Sequence, residues 1–188
     1  MPCMRRLVHI HAIARSMENA EVLDGIWAFA HYREAVRDLL RALKYQKKKS
    51  ALPALHTILA AGEEVLAQLP HPLTAVPVPL APMGLRERGF NQVEAIFAPW
   101  LAAHDVAFAP LLDRARETVP LYARTRAERR QELRGAFSVV GNADLAGHDV
   151  LLVDDIMTTG ATLTECARTL KRGGVNRVYA FVLASEHP

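Results

Sequence analysis

The stretch VLLVDDIMTTGAT, from Val150 to Thr162, decides the fold of this chain. Its apolar residues run without interruption into Asp154 and Asp155, and a continuous apolar run is typical of a parallel strand that is buried on both faces. A loop of threonines and glycine follows, and apolar residues then recur at helical spacing until Gly173. The sequence therefore predicts a buried strand that ends on two carboxylates, a short polar loop and a helix.

The rest of the chain alternates between helical and extended patterns. Helices are predicted within residues 32–50, 51–69, 89–104 and 161–172, and strands within residues 74–82, 136–140, 149–155 and 176–184. This alternation favours an α/β fold with a mostly parallel sheet. We expect an N-terminal segment of unassigned order over residues 1–25 and one domain over residues 26–188. The apolar helices within residues 33–69 are expected to pack at one side, as a hood or an oligomer surface.

Composition narrows the class of protein. The 188 residues are 51% hydrophobic, which is enough for a core, and the net charge of +3 fits a phosphate binder, a weak nucleic-acid binder or an ordinary enzyme. The two cysteines form no CxxC pair, which excludes a zinc ribbon and argues against a disulfide framework. We expect a cytoplasmic protein, without membrane insertion because no apolar run approaches the roughly 18 residues that a span needs.

The opening stretch also predicts a chemistry. Ligands of parallel sheets lie beyond the carboxyl ends of the strands, where the two aspartates are placed. The N-terminus of the following helix offers free N–H groups that suit a phosphate, and Gly160 lets the backbone approach it closely. Carboxylates can accept hydrogen bonds from sugar hydroxyls. The pattern therefore indicates a sugar-phosphate site.

Two other interpretations of the same stretch were weighed. A phospho-acceptor receiver domain also ends a strand on paired acids, but there the pair belongs to the first strand and a long α/β chain follows. Here one predicted helix and one predicted strand follow. A strand-turn-helix without a ligand is the other interpretation, and it would leave buried acids without a role at an energetic cost.

The segment VLLVDDIMTTGAT resembles the phosphoribosyl-pyrophosphate (PRPP) motif of type I phosphoribosyltransferases. The segments VPVPLAPMGLRERGFNQVEAIFAPWLA, KYQKKKSAL and RAERRQELRGAF are similar to those of ComF/GntX-type proteins, the competence-associated branch of that family. The resemblance covers residues 27–184 and implies a central, mostly parallel sheet flanked by helices, with a flexible basic hood loop. ComF-type proteins usually begin with a cysteine-rich zinc-binding segment, so we expect a short form that lacks it.

The resemblance implies roles for individual residues. The ribose hydroxyls are assigned to Asp154 and Asp155, and the 5′-phosphate to Thr158, Thr159, Gly160, Ala161 and Thr162. Pyrophosphate is assigned to Pro79, Leu80, Ala81, Arg86 and Arg88. The hood over residues 113–134 holds seven arginines and four acids. The site residues assigned to it are Arg124, Arg126, Arg129 and Arg130. Mg²⁺ is expected as a cofactor that is bound through the ligand's oxygens and not directly by the chain.

Two positions depart from the purine-salvage members of the family. Thr158 stands where those enzymes have an aspartate that contacts the base, and Ala161 stands where they have a lysine. Both features look more like orotate-type enzymes. The acceptor and the catalytic residues are therefore left unassigned.

Three functions remain open at this stage. The first is an enzyme that transfers phosphoribosyl to an unidentified acceptor, and the second is a non-catalytic accessory protein that binds PRPP or a ribonucleotide during DNA uptake or use of DNA as a nutrient. The third is direct contact with single-stranded DNA, in which Lys44 and Lys47–Lys49 would join the hood arginines, with Tyr45 and Phe90 beside them. A simpler interpretation of these lysines is a solvated helix end. A homodimer is also considered.

Overall fold

The computed structural model describes residues 8–12, 22–114, 133–141 and 145–186, the first of these ranges by its backbone alone. The strands are β1 (Val8–Ala12), β2 (Gly25–His31), β3 (Leu73–Pro77), β4 (Ala107–Phe108), β5 (Leu112–Arg114), β6 (Phe137–Val139), β7 (Asp149–Met157) and β8 (Arg177–Ser185). The helices are α1 (Glu34–Gln46), α2 (Leu52–Leu59), α3 (Glu63–Leu66), α4 (Pro82–Arg88), α5 (Gln92–Ala102) and α6 (Ala161–Arg172). Short 3₁₀ turns at Lys49–Ala51 and Ala60–Gly62 flank α2.

Six strands form the main sheet, in the order β1-β2-β8-β7-β3-β4. The five strands from β2 to β4 in that order are parallel to their neighbours, and β1 runs antiparallel to β2 at one edge. Strands β5 and β6 form a separate antiparallel pair. The predicted α/β fold with a mostly parallel, helix-flanked sheet is confirmed, and its central strands β8, β7 and β3 bring their carboxyl ends to one edge.

The core is split between the two faces of the sheet. On one face α1, α2 and α5 pack through fully buried leucines and aromatic residues, and on the other face α6 packs with the β5–β6 pair. Strand β7 serves both faces, because Leu151 and Val153 point to the first and Val150 and Leu152 to the second. This double burial is the physical reason for the uninterrupted apolar run of the sequence.

The helices of residues 33–69 have a different role from the one we expected. Leu40, Leu43, Leu55 and Leu59 are fully buried in the core against the sheet. The apolar side of these helices is therefore internal packing, and the expectation of a hood or an oligomer surface was wrong for it.

Helix α4 was read from the sequence as loop because prolines and glycines surround it. In the structure Pro82 occupies the first turn, and Gly89 ends the helix with a φ of 75°. Proline at the start and glycine just past the end fit helix termini, since neither residue then breaks a required hydrogen bond. Strands β1 and β2 were also absent from the sequence prediction.

Helix α5 begins at a clear cap. The Asn91 side chain accepts hydrogen bonds from the backbone N–H groups of Val93 and Glu94, at 3.0 and 3.5 Å. This cap satisfies two free N–H donors of the first turn, directly beside Gln92. Among the helices that the structure describes, none is long and apolar enough to cross a membrane.

Candidate functional site

The two predicted acids lie near the carboxyl end of β7, but their surroundings differ. Asp154 is partly exposed, whereas Asp155 is buried, with 4% of its surface accessible. Neighbouring β3 and β8 flank this end of β7 on either side. The site therefore lies in the middle of the sheet, where a parallel α/β fold places its ligands.

Asp155 is held by side chains from two helices that are distant in sequence. Lys44 of α1 forms an ion pair with it, with 2.8 Å between Nζ and Oδ2. The Gln92 amide of α5 donates a hydrogen bond to the same Oδ2 at 2.9 Å. Arg88 donates to Oε1 of Gln92 at 2.8 Å, so the network extends to the end of α4.

Asp154 has a different electrostatic state. Its Oδ1 accepts a hydrogen bond from the backbone N–H of Asp155 at 2.8 Å. Asp154 is partly exposed as a residue, but the surrounding protein desolvates its carboxyl group; this desolvation and the adjacent charge of Asp155 raise the pKa of Asp154 to about 8, although the positive charge of Lys44 opposes the rise. The two acids therefore differ: Asp155 is paired with Lys44, whereas the raised pKa of Asp154 favours its protonated form.

The predicted phosphate loop joins β7 to α6. Gly160 takes a φ of 72°, which glycine adopts without strain, and it is the residue from which α6 begins. Thr159 Oγ1 accepts from the N–H of Ala161 at 3.4 Å, and Thr164 donates from Oγ1 to the Gly160 carbonyl at 3.0 Å. The loop is thus built on the N-terminus of a helix of three turns.

A cavity lies in this loop, lined by Asp154 and by residues that include Thr158–Leu163. Its volume is about 30 Å³. This volume is too small for a sugar ring. The structure brings Asp154, Thr158, Thr159, Gly160, Ala161 and Thr162 together at one cavity, and it places Asp155 behind them.

The segment assigned to pyrophosphate follows the neighbouring strand β3. Pro77 pairs with Val153 of β7, so residues 79–81 leave the sheet beside the two acids. Pro79, Leu80 and Ala81 are half-buried there. Arg88 is half-buried and joined to the acids through Gln92, whereas Arg86 is exposed on α4.

The hood arginines Arg124, Arg126, Arg129 and Arg130 lie outside the described residues. The segments that flank the hood are described, and both pack near α6. Gly135 donates its backbone N–H to Oε1 of buried Glu165 at 3.0 Å, and Arg168 pairs with Oε2 of Glu165 at 3.5 Å. Arg114, at the other root, lies over the ring of Phe137 at 5.7 Å.

A second cavity opens at the same edge of the sheet, where β2 and β8 end. It has a volume of about 250 Å³ and is lined by His31, Tyr32, Arg33, Ser185 and Glu186. The N–H of Tyr32 donates to the carbonyl of Ser185 at 2.7 Å, and the N–H of Glu186 donates to the last residue of β7 at 3.0 Å. The second cavity therefore lies one strand away from the two acids.

Sequence reasoning missed Lys44 and Gln92 as parts of the site. Lys44 was grouped with Lys47–Lys49 as a solvated helix end, and for Lys44 this was wrong, because its side chain is only 13% exposed. A signal was present: Lys44 follows Leu40 by four positions and so shares the buried face of α1. A lysine on the apolar face of a helix needs a buried partner.

The comparison with known proteins identifies the family. Competence protein F of Haemophilus influenzae is 29% identical over 168 residues, which cover 86% of this chain and 72% of that protein. DNA utilization protein YhgH of Escherichia coli K12 is 30% identical over 190 aligned residues, which cover 96% of this chain and 81% of that protein. The chain belongs to the ComF family.

Part of this ComF-family chain also matches a domain family. Residues 106–187 match the family described as phosphoribosyl transferase domain, and this range includes β7, the phosphate loop and α6. Adenine phosphoribosyltransferase from Leishmania tarentolae has 13% sequence identity and a TM-score of 0.47, with 95% of each chain covered. The enzyme from Thermoanaerobacter pseudethanolicus has 16% identity and a TM-score of 0.46, with 97% of each chain covered. The match over residues 106–187 and the mostly parallel, helix-flanked sheet of this ComF-family chain agree with the expected phosphoribosyltransferase-type fold.

Proposed function

We propose that this chain binds PRPP at the carboxyl end of β7 and transfers its phosphoribosyl group to an acceptor, with release of pyrophosphate. The observation that carries the proposal is the single cavity shared by Asp154 and a glycine-centred loop at the start of α6. A carboxyl group beside a helix N-terminus offers partners for both the hydroxyls and the phosphate of a ribose 5-phosphate. The PRPP-type motif of the family supports the same ligand.

In this proposal the 5′-phosphate lies in the loop. Backbone N–H groups at the start of α6 and the hydroxyls of Thr158, Thr159 and Thr162 would donate to its oxygens. Asp154 and Asp155, near the carboxyl end of β7, would contact the ribose hydroxyls. In this arrangement the sugar would lie outside the loop cavity, whose volume is about 30 Å³.

Pyrophosphate would lie beside residues 79–81, with Arg86 and Arg88 as cations suited to its oxygens. Mg²⁺ prefers oxygen ligands and keeps much of its own shell, so the oxygens of PRPP would supply most of its coordination. In the part of the chain that the structure describes, no group of three or more His, Cys, Asp or Glu side chains is placed to hold a metal. The metal would arrive with the ligand and neutralise the departing pyrophosphate.

The reaction would be a displacement at C1 of the ribose. The bond from C1 to the pyrophosphate oxygen breaks, its electron pair leaves with pyrophosphate, and the acceptor forms the new bond to C1. Cations around the leaving group stabilise the charge that develops there. The hood, with Arg124, Arg126, Arg129 and Arg130, would close over the site and exclude water from the reactive sugar.

The acceptor would enter from the second cavity. That cavity is one strand away from Asp154 and offers an aromatic ring, cationic groups and the carboxylate of Glu186. Its volume of about 250 Å³ suits a group the size of a nucleobase. The proposal leaves the identity of the acceptor to experiment.

A second candidate function is a non-catalytic PRPP- or nucleotide-binding protein that serves the use of DNA, in the cytoplasm. The names of the two relatives favour it, and one surface favours contact with single-stranded DNA. Tyr45 is 71% exposed, and Lys49 lies over the ring of Phe90 at 5.4 Å. An exposed ring such as that of Tyr45 among lysines and arginines suits stacking on bases and attraction to phosphates. A homodimer stays a prediction.

Calorimetry with PRPP and Mg²⁺ tests the site. The wild type should bind, and Asp154→Asn should weaken binding by about tenfold or more, because asparagine cannot ionise to accept hydrogen bonds from the ribose hydroxyls through two carboxylate oxygens. Asp149→Asn is the control, since Asp149 lies at the other end of β7, where it contacts Asn176. Equal affinity of the wild type and Asp154→Asn, or no binding by either, would overturn the proposal.

Turnover separates the two candidate functions. Wild-type protein would be incubated with PRPP, Mg²⁺ and single bases, including orotate, adenine, guanine and hypoxanthine, and pyrophosphate release would be followed. Release with one base supports the transferase. Binding of PRPP without release, together with salt-sensitive oligonucleotide binding that Tyr45→Ala weakens, supports the accessory function.

A further inference from the structure

Gln92 lies between two parts of the proposed site, a sugar side formed by Asp154 and Asp155 and a pyrophosphate side formed by residues 79–81 and Arg88. Its Nε2 donates a hydrogen bond to Oδ2 of Asp155 at 2.9 Å. Its Oε1 accepts a hydrogen bond from a terminal guanidinium nitrogen of Arg88 at 2.8 Å. One side chain therefore connects groups that are assigned to the two halves of PRPP.

The amide of Gln92 suits this position because its two ends have opposite hydrogen-bonding character. A guanidinium only donates and an ionised carboxylate only accepts, so a group between Arg88 and Asp155 must accept on one side and donate on the other. The same requirement fixes the amide orientation, with Oε1 toward the arginine and Nε2 toward the acid. A carboxylate at position 92 would repel Asp155, and an apolar side chain would make neither hydrogen bond.

Burial and the helix start hold Gln92 in place. The residue is 2% exposed, so water has little access to its hydrogen bonds. It is the first residue of α5, directly after the capping residue Asn91, which fixes the backbone there. With both ends of the amide engaged and its backbone fixed, Gln92 can transmit a change in the position of Arg88 to Asp155.

Lys44 separates the bridge from the stability of the acid. Its Nζ lies 2.8 Å from the same Oδ2 of Asp155, so neither Lys44 nor Gln92 engages Oδ1 of that carboxylate. Loss of the Gln92 amide would leave Asp155 with a cation beside it, and it would leave half-buried Arg88 within reach of solvent. Neither charge would be buried without a partner, which is the costly case. A variant of Gln92 can therefore change the geometry of the site while the fold persists.

Helix α4 presents its two arginines differently. Arg86 and Arg88 are two positions apart, and residues at this spacing do not share a helix face. Arg88 bonds to Gln92, whereas Arg86 is exposed. Gln92 therefore acts on Arg88 alone, and Arg86 offers a comparison within the same helix.

We infer that Gln92 is a positioning residue that couples the pyrophosphate side of the site to the sugar side, by holding Arg88 with its amide oxygen and Asp155 with its amide nitrogen. The assignment of ligand groups to the two sides rests on the proposed function. The bridge itself rests on contacts within the ligand-free chain. Gln92 should thus affect affinity for both halves of PRPP through residues that it orients.

Binding of the two halves of PRPP, measured separately, tests the coupling. Calorimetry with ribose 5-phosphate and with pyrophosphate plus Mg²⁺ would compare the wild type, Gln92→Met and Glu94→Gln. Gln92→Met should weaken binding of each half by about fivefold, because each side loses a fixed hydrogen bond. Glu94→Gln, on the exposed face of the same helix, is the matched control and should bind like the wild type. Unchanged affinity of Gln92→Met for either half would overturn the inference.

Double-mutant cycles show whether Gln92 acts through Arg88. In an Arg88→Met background, the further change Gln92→Met should cost no pyrophosphate affinity, because the residue that it orients is gone. In an Arg86→Met background, the same change should keep its full effect. Equal losses of pyrophosphate affinity in the two backgrounds would show that Gln92 does not work through Arg88, and they would refute the coupling.

A measurement on the ligand-free protein separates this inference from the proposed function. The side-chain amide protons of Gln92 are buried against a carboxylate, so they should exchange slowly with solvent in NMR experiments. Arg88→Met should shift their signals and speed their exchange, although Arg88 bonds to the other end of the amide. Identical signals and exchange in the wild type and Arg88→Met would overturn the bridge. If the wild type binds neither ribose 5-phosphate nor pyrophosphate, the proposed function fails, and these amide signals still decide whether Gln92 joins Arg88 to Asp155.

Discussion

The pKa of Asp154 is raised in the folded, ligand-free chain. Burial and the charge of Asp155 raise its pKa to about 8, from an ordinary value of 3.8. Between these two values the folded state binds more protons than the unfolded state, so the free energy of unfolding falls as the pH rises. This single residue therefore makes the fold less stable in mild alkali than in mild acid.

The pH dependence gives a prediction for Asp154→Asn. Asparagine resembles the protonated acid and does not ionise, so the variant should gain stability relative to the wild type as the pH rises from 5 to 8. The upper limit is about 1.4 kcal/mol per pH unit, the value for a difference of one proton. Urea unfolding at pH 5, 6, 7 and 8 measures it. Parallel curves for the two proteins would contradict the raised pKa.

Helix α5 gives a prediction at the scale of an element. Asn91 caps two N–H groups at its start, directly before Gln92, which holds Asp155. Asn91→Ala should lower the free energy of unfolding by about 1 kcal/mol, and Asn91→Ser should keep most of it, since serine also caps. Chemical denaturation of the three proteins provides the measurement. If the alanine variant is as stable as the serine variant, the cap does not stabilise α5.

The elements differ in how well sequence predicts them, for physical reasons. β7, α6 and β8 were predicted because each is a long uniform pattern with a glycine or an acid at its end. β2 is a short apolar segment that acquires its strand character from pairing with β8, and propensity alone does not report such pairing. Helix α4 was missed because proline and glycine at its two ends look like loop signals.

The residues of the candidate site also differ in how well the sequence predicts them. Asp154, Gly160 and the threonines of the loop are contiguous, so a local motif was enough to predict them. Lys44 and Gln92 reach the site by tertiary packing of α1 and α5 on one face of the sheet. Spacing along the chain does not encode such contacts, although the position of Lys44 on the apolar face of α1 indicated a buried partner.

The whole molecule depends on close packing between the sheet and its helices. Gly62, beside α3, lies against the ring of Phe29, which is fully buried in β2. A Cβ at Gly62 would stand 2.7 Å from Cζ of that ring, closer than van der Waals contact allows. Gly62→Ala should therefore destabilise the fold by about 1–3 kcal/mol.

The matched control is Gly84→Ala on the partly exposed helix α4. A Cβ there meets only the end of the Arg88 side chain, at 4.0 Å. This variant should be neutral or more stable by up to about 1 kcal/mol, because alanine favours a helix over glycine. Thermal unfolding of both variants provides the comparison. Equal effects of the two substitutions would mean that the contact with Phe29 is not restrictive.

The strand order of the sheet has a consequence for synthesis on the ribosome. β2 pairs with β8, and the N–H of Val178 donates to the Asp24 carboxylate 154 positions earlier in the chain. Long-range parallel pairing forms slowly, because a large loop must close first. During translation the apolar segment GIWAFAH of β2 therefore lacks its parallel partner strand until β8 has left the exit tunnel. In that interval β2 is exposed to association with other chains, and it is the segment that a nascent-chain chaperone would protect.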